Sequence, residues 1–137
     1  MLEHLLKQAD IVKMNDEELE IIGAWHKVQG ANQVTLETIR KVYNLQGIIV
    51  TKGAKGAIYV NETDCIEQGG FPVTVQDTIG SGDAFLAGFI CQYLNTASSQ
   101  RQLEFACATG AYVATKHGGT PLNSKKIIDD FIKNSKE

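Results

Sequence analysis

A chain of 137 residues, 43% hydrophobic and 21% charged, is sized for one domain with a real core and is composed like an ordinary soluble globular protein. Its net charge of −3 comes with no basic block to neutralise phosphates, which argues against a general nucleic-acid binder. No apolar run reaches the length that spans a bilayer and the N-terminus lacks the layout of a signal peptide, so no membrane and a cytoplasmic location are expected.

In chain order, Leu2 to Gln8 reads as the tail of a helix and Ile11 to Met14 as a short buried strand. Asp16 to Ile22 follows with helical spacing, acidic residues in its first turn, and Leu19, Ile22 and Trp25 on one face. Gln29 to Gln33 is a polar loop, and Thr35 is expected to cap a second helix that turns Leu36, Ile39 and Tyr43 to a core. Gly47 to Thr51 is a β-branched run of the kind found in buried parallel strands. Gly53 to Gly56 turns into a further strand, Ala57 to Val60. Asn61 to Asp64 is turn chemistry, and Cys65 to Glu67 can pair back.

From Gly82 the spacing is helical to about Leu94, and Ser98 or Ser99 restarts a helix to about Lys116. Gly118-Gly119-Thr120-Pro121 ends it, and Ser124 caps a last amphipathic helix carrying Ile127, Ile128, Phe131 and Ile132. Strands alternating with helices imply an α/β sandwich on a mostly parallel sheet, in one domain over 1–137. Cys65, Cys91 and Cys107 are too few and too scattered for a disulfide framework or a metal cluster, and read as small buried hydrophobes.

Asp77-Thr78-Ile79-Gly80-Ser81-Gly82-Asp83-Ala84-Phe85 is the segment richest in chemistry. Two glycines flank a serine where a helix begins, so backbone N–H groups can converge on an anion with the helix dipole behind them. Asp83, in the first turn, is a carboxylate able to take a proton from a hydroxyl beside that anion. The residues alone fit a simple capped turn equally well.

The run DTIGSGDAF resembles the D-T-x-G-(A/S)-G-D-x-F signature of the ribokinase, or PfkB-type, carbohydrate kinases. The resemblance implies the C-terminal part of a ribokinase-like three-layer α/β/α sandwich and ATP-dependent phosphorylation of a sugar hydroxyl, with a fructokinase-like lean. It implies that Gly80, Ser81 and Gly82 form the anion hole, that Asp83 is the base, and that Asp77 belongs to a monovalent-cation site for potassium (K+). Asn15 and Glu18 resemble the family's N-x-x-E motif, which helps hold Mg2+ through water, although by themselves they spell a helix capping box. Thr51 and Gly53 resemble the segment that lies along the nucleotide phosphates, although read alone they make a hairpin turn.

Phe105 to Ala111, with Cys107, Gly110 and Ala111, resembles the small-residue helix that packs on adenine; such residues equally permit close helix packing. The family often has asparagine where Cys107 stands, a departure that leaves a specific adenine hydrogen bond without its amide. Family members are considerably longer, so the chain reads as a fragment that meets its sugar through an absent N-terminal half and has negligible kinase activity alone. An open sheet edge or apolar surface would then invite homo-oligomer formation. A non-catalytic nucleotide-binding or assembly module is the alternative. A Rossmann oxidoreductase is disfavoured because the glycine motif comes late and no acidic residue ends a following strand at the expected distance.

Overall fold

The computed structural model describes residues 2–116 and 125–136, and its backbone divides into two units, 1–67 and 68–137. Gly118 to Pro121 and Ser124, expected to stop one helix and cap the next, lie outside the described residues. Among the described residues no helix is long and apolar enough to cross a membrane.

In the first unit, helix α1 (Leu2–Gln8) leads to strand β1 (Ile11–Asn15), helices α2 (Asp16–Trp25) and α3 (Gln33–Val42), and strand β2 (Gly47–Thr51). A 3-10 turn, Gly53–Lys55, then joins β2 to β3 (Ala57–Asn61), and β4 (Cys65–Gln68) completes a sheet of order β1-β2-β3-β4. β1 runs parallel to β2, with Ile11 opposite Gly47 and Asn15 opposite Thr51. β2 and β3 are antiparallel. The sheet is therefore mixed where a mostly parallel one is expected, because a connection as short as Lys52–Gly56 can only join antiparallel neighbours. The α/β class itself holds.

Met14, Ile48, Val50, Ile58 and Val60 pack with Leu6 of α1, Leu19 and Ile22 of α2, and Leu36 and Ile39 of α3. Trp25 does not join them and stays 48% exposed. At 3.6 residues per turn it falls well off the arc of Leu19 and Ile22, and Gly23 completes the buried side instead. Thr35 is not the cap of α3. Asn32 holds that place, its side chain accepting from the Thr35 N–H at 2.9 Å, while the Thr35 hydroxyl donates to the Gln29 carbonyl at 2.7 Å. Asparagine accepts from the N3 amide at least as well as threonine, so the helix begins a turn earlier and Thr35 is buried.

The second unit contains helices α4 (Ser81–Leu94), α5 (Ser99–Ala114) and α6 (Lys125–Ser135). Ser98 is the cap of α5, its hydroxyl accepting from the Arg101 N–H. Phe105 and Ala108 of α5 form a core with Ile128 and Ile132 of α6, against which Phe71, Tyr112 and Phe131 pack. Asp129 of α6 accepts from Arg101 of α5 and pairs with Lys125 at 3.0 Å. Burial alone would raise the Asp129 carboxyl, but these two cations hold it below the usual carboxylate range. The cysteines differ from one another: Cys107 is buried, Cys65 is half-buried and packs against the core of the first unit, and Cys91 is exposed, so the expectation of small buried hydrophobes fails at Cys91.

Candidate active site

The chain enters α4 through a series of backbone commitments. The Gln76 and Asp77 N–H groups both donate to the Ala114 carbonyl at the end of α5, at 2.9 and 3.2 Å. The Asp77 carboxylate accepts from the Ile79 N–H at 2.9 Å, an Asx turn. Thr78 offers its carbonyl to both the N–H and the hydroxyl of Ser81, at 3.2 and 2.9 Å. Gly80, the N-cap, has φ of 80°, a left-handed conformation that glycine adopts without penalty.

These commitments leave the amides that matter unused. Among the described residues, the N–H groups of Gly82 and Asp83 have no hydrogen-bond partner. They open the first turn of a 14-residue helix whose dipole favours an anion at that end. Gly82 and Asp83 are both exposed, and the Asp83 carboxylate has no ion pair among the described residues. The arrangement can receive a phosphate-like anion and offers a solvated carboxylate beside it.

The small residues of α5 have a use in the same unit. A Cβ on Gly110 would lie 3.1 Å from the Ser81 carbonyl oxygen and 3.5 Å from the Phe85 Cβ. Gly110 thus lets the start of α4 approach α5, whichever ligand the helix meets. Cys107 is buried one turn earlier and Ala111 is half-buried.

The remaining expected residues gather in the first unit, where the carboxyl ends of the neighbouring parallel strands β1 and β2 place Asn15 opposite Thr51. Asn15 and Glu18 form a reciprocal capping box, the Glu18 N–H donating to Asn15 Oδ1 at 2.8 Å and the Asn15 N–H to Glu18 Oε2 at 2.9 Å. The capping reading of this pair is therefore present in the structure. It leaves Glu18 Oε1 uncommitted and Asn15 Oδ1 with a second lone pair, an oxygen-only donor set that suits a hard cation keeping its water. No group of three or more acidic, histidine or cysteine side chains among the described residues could hold a metal directly. Gly53 has φ of 58°, and a Cβ there would meet nothing within 4 Å, so its backbone is open to approach.

Each unit thus assembles its own share: Asn15, Glu18, Thr51 and Gly53 in one, Asp77, Gly80, Ser81, Gly82, Asp83 and Gly110 in the other. Sequence reasoning missed the carbonyls of Thr78 and Ala114, which hold the turn in place. Backbone acceptors carry no side-chain signature, so nothing in the sequence marked them.

The profile of the pfkB family carbohydrate kinases matches residues 1–126. Fructokinase-2 of Solanum lycopersicum is 32% identical over 122 residues, which are 82% of this chain and 35% of that protein. The ATP-dependent ribose-1-phosphate kinase of Halopiger xanaduensis is 33% identical over 127 residues, 93% of this chain and 40% of that one. The fold is similar to that of an Escherichia coli protein described as a ribokinase II and solved with ATP and Mg2+. The TM-score there is 0.85 at 23% identity, covering 97% of this chain and 42% of that one. The chain spans between a third and a half of the length of these proteins.

Proposed function

The chain belongs to the pfkB family of carbohydrate kinases, and on that premise we propose that the protein carrying it transfers the γ-phosphate of ATP to a hydroxyl of a sugar. The observation that supports this most is the pair of unspent N–H groups of Gly82 and Asp83 at the start of α4, beside an exposed carboxylate. Asp83 accepts the proton of the attacking hydroxyl as its oxygen bonds to the γ-phosphorus. The bond from that phosphorus to the β-phosphate oxygen breaks, and ADP leaves. Within the anion hole assigned to Gly80 to Asp83, the unspent N–H groups of Gly82 and Asp83 steady the transferring phosphoryl group.

In the first unit, Thr51 and Gly53 are assigned to the nucleotide phosphates, and Asn15 and Glu18 to Mg2+ through its water. Magnesium, when bound, neutralises phosphate charge. Cys107, Gly110 and Ala111 are assigned to the adenine side and Asp77 to potassium. Fructose is the favoured acceptor, since fructokinases recur among the similar proteins; a ribose derivative is the rival, given the ribose-1-phosphate kinase match at 33% identity.

Calorimetric titration of the 137-residue chain with a non-hydrolysable Mg-ATP analogue tests the anion hole. Binding is expected, and Gly82→Val should weaken it by about 10-fold or more, whereas Asp83→Asn should leave it nearly unchanged. Equal binding by wild type and a folded Gly82→Val variant sinks the assignment. In the protein carrying the chain, Asp83→Asn should lower phosphoryl transfer by about 10²–10⁴-fold. The 137 residues alone should show negligible sugar-dependent ATP turnover, because transfer depends on positioning and on excluding water.

A further inference from the structure

Among the described residues, two buried side-chain atoms have no hydrogen-bond partner: Gln92 Nε2 on α4 and Gln102 Oε1 on α5. Both side chains are more than nine-tenths buried, at 3% and 7% exposure. One atom is a donor and the other an acceptor, so their needs are complementary. A buried amide group without a partner is costly, and native folds leave few of them.

The packing of the two helices brings these atoms into one layer. A Cβ on Gly110 would meet Phe85, and a Cβ on Gly88 would meet Thr109 and Phe105. Positions therefore fall along α5 as they rise along α4, and the helices are antiparallel. One turn beyond Gly88, Gln92 comes opposite the start of α5, where Gln102 stands. Ala97, in the turn between the helices, touches both residues. Its N–H donates to the Gln92 carbonyl at 3.1 Å, and its carbonyl accepts from Gln102 Nε2 at 2.8 Å. That carbonyl has a second lone pair to offer.

We infer that Gln92, Gln102 and Ala97 together bind one internal water molecule. Gln92 Nε2 donates to the water oxygen, and the water donates one proton to Gln102 Oε1 and the other to the Ala97 carbonyl. Three polar partners are the usual complement of a buried water. The site fastens the C-terminal end of α4 to α5, while Gly110 lets the N-terminal end approach α5 closely. The inference rests on the packing of these two helices and is independent of the proposed reaction.

Nuclear Overhauser spectra of the 137-residue chain provide the test and need no variant. Cross-peaks between water and the Gln92 side-chain amide protons are expected, with the sign of a water that tumbles with the protein. They should persist in Thr96→Val and in Ser98→Asp, which remove the hydroxyls of the turn while the second keeps a capping side chain for α5. Absence of the cross-peaks overturns the inference and would leave the two amides bonded to each other or unpaired. Loss of the cross-peaks with either hydroxyl also overturns it, because the signal would then come from that hydroxyl. Urea unfolding gives an independent reading. Gln92→Met and Gln102→Met each remove one partner of the water with an unbranched side chain. Each should lower the folding equilibrium constant by about 2–10-fold, and the double variant should lose no more than the worse single one. Stabilisation by Gln92→Met would mean that its amide is unpaired, and losses that simply add would mean that the two residues share no partner; either result overturns the proposal.

Discussion

Residues 1–67 and 68–137 carry comparable sequence patterns to different ends. The first unit sinks its apolar strand and helix residues into a core in which Leu36, Ile39 and Ile48 are fully buried, and it spends its polar residues on caps. The second unit also has a core, between α5 and α6, yet its most apolar helix keeps a hydrophobic stripe in the open and leaves two backbone amides unpaired at its start. The contrast shows that an unspent group says more than a spent one. Asn15 and Glu18 would sit where they do for the sake of α2 alone, whereas the free amides of Gly82 and Asp83 do nothing for α4.

The sharpest test of the contrast pairs two leucines. Leu36→Ala, at a fully buried site, should cost about 2–5 kcal/mol in a urea melt, and Leu86→Ala within about 0.5 kcal/mol. A large loss at Leu86 would erase the distinction between the units. Next in size, Gly110→Val should cost about 1–3 kcal/mol, because the Ser81 carbonyl 3.1 Å from its Cβ is backbone and cannot swing aside.

Asn15→Ala should cost about 1 kcal/mol by removing the cap of α2, and Asn15→Asp should restore most of it. A change in the magnesium dependence of nucleotide binding in the stable Asn15→Asp variant would then report a ligand role separate from the cap. The smallest effect is expected in acid. The Asp129 carboxyl is held below its ordinary value in the folded chain, so its contribution is complete above the ordinary aspartate range and is lost as pH falls through the lowered value. Amide resonances of α6 should shift in that window. Glu37, lowered first by its hydrogen bond from Arg40, titrates within α3 and should leave the contacts between helices of the first unit unaffected.

Much of this was legible in the residues. The helix and strand runs follow from spacing and β-branched content, and α2, β2, α5 and their neighbours fall close to where those patterns place them. The errors share a cause. Thr35 and Asn32 are both competent caps, and the choice between them depends on which lets the hydroxyl of Thr35 reach the Gln29 carbonyl. Trp25 fits a helical stripe loosely, and Gly23 takes its place against the core. Gly47 to Thr51 is the buried parallel strand its residues suggest, paired with β1, and the expectation of a mostly parallel sheet fails only at β3, whose direction follows from the short β2–β3 connection.

The sequence by itself determined the family, the candidate base and the candidate phosphate-binding glycines, because DTIGSGDAF specifies a local turn whose chemistry lies in its own residues. Only the tertiary structure decided which groups remain free to act. Whether an amide is spent, whether a carboxylate caps a helix, and whether a leucine is covered all depend on what folding brings beside it. The carbonyls of Thr78, Gly80 and Ala114 take up the N–H groups of Ser81, Ala84, Gln76 and Asp77, and among the described residues those of Gly82 and Asp83 are left without a partner.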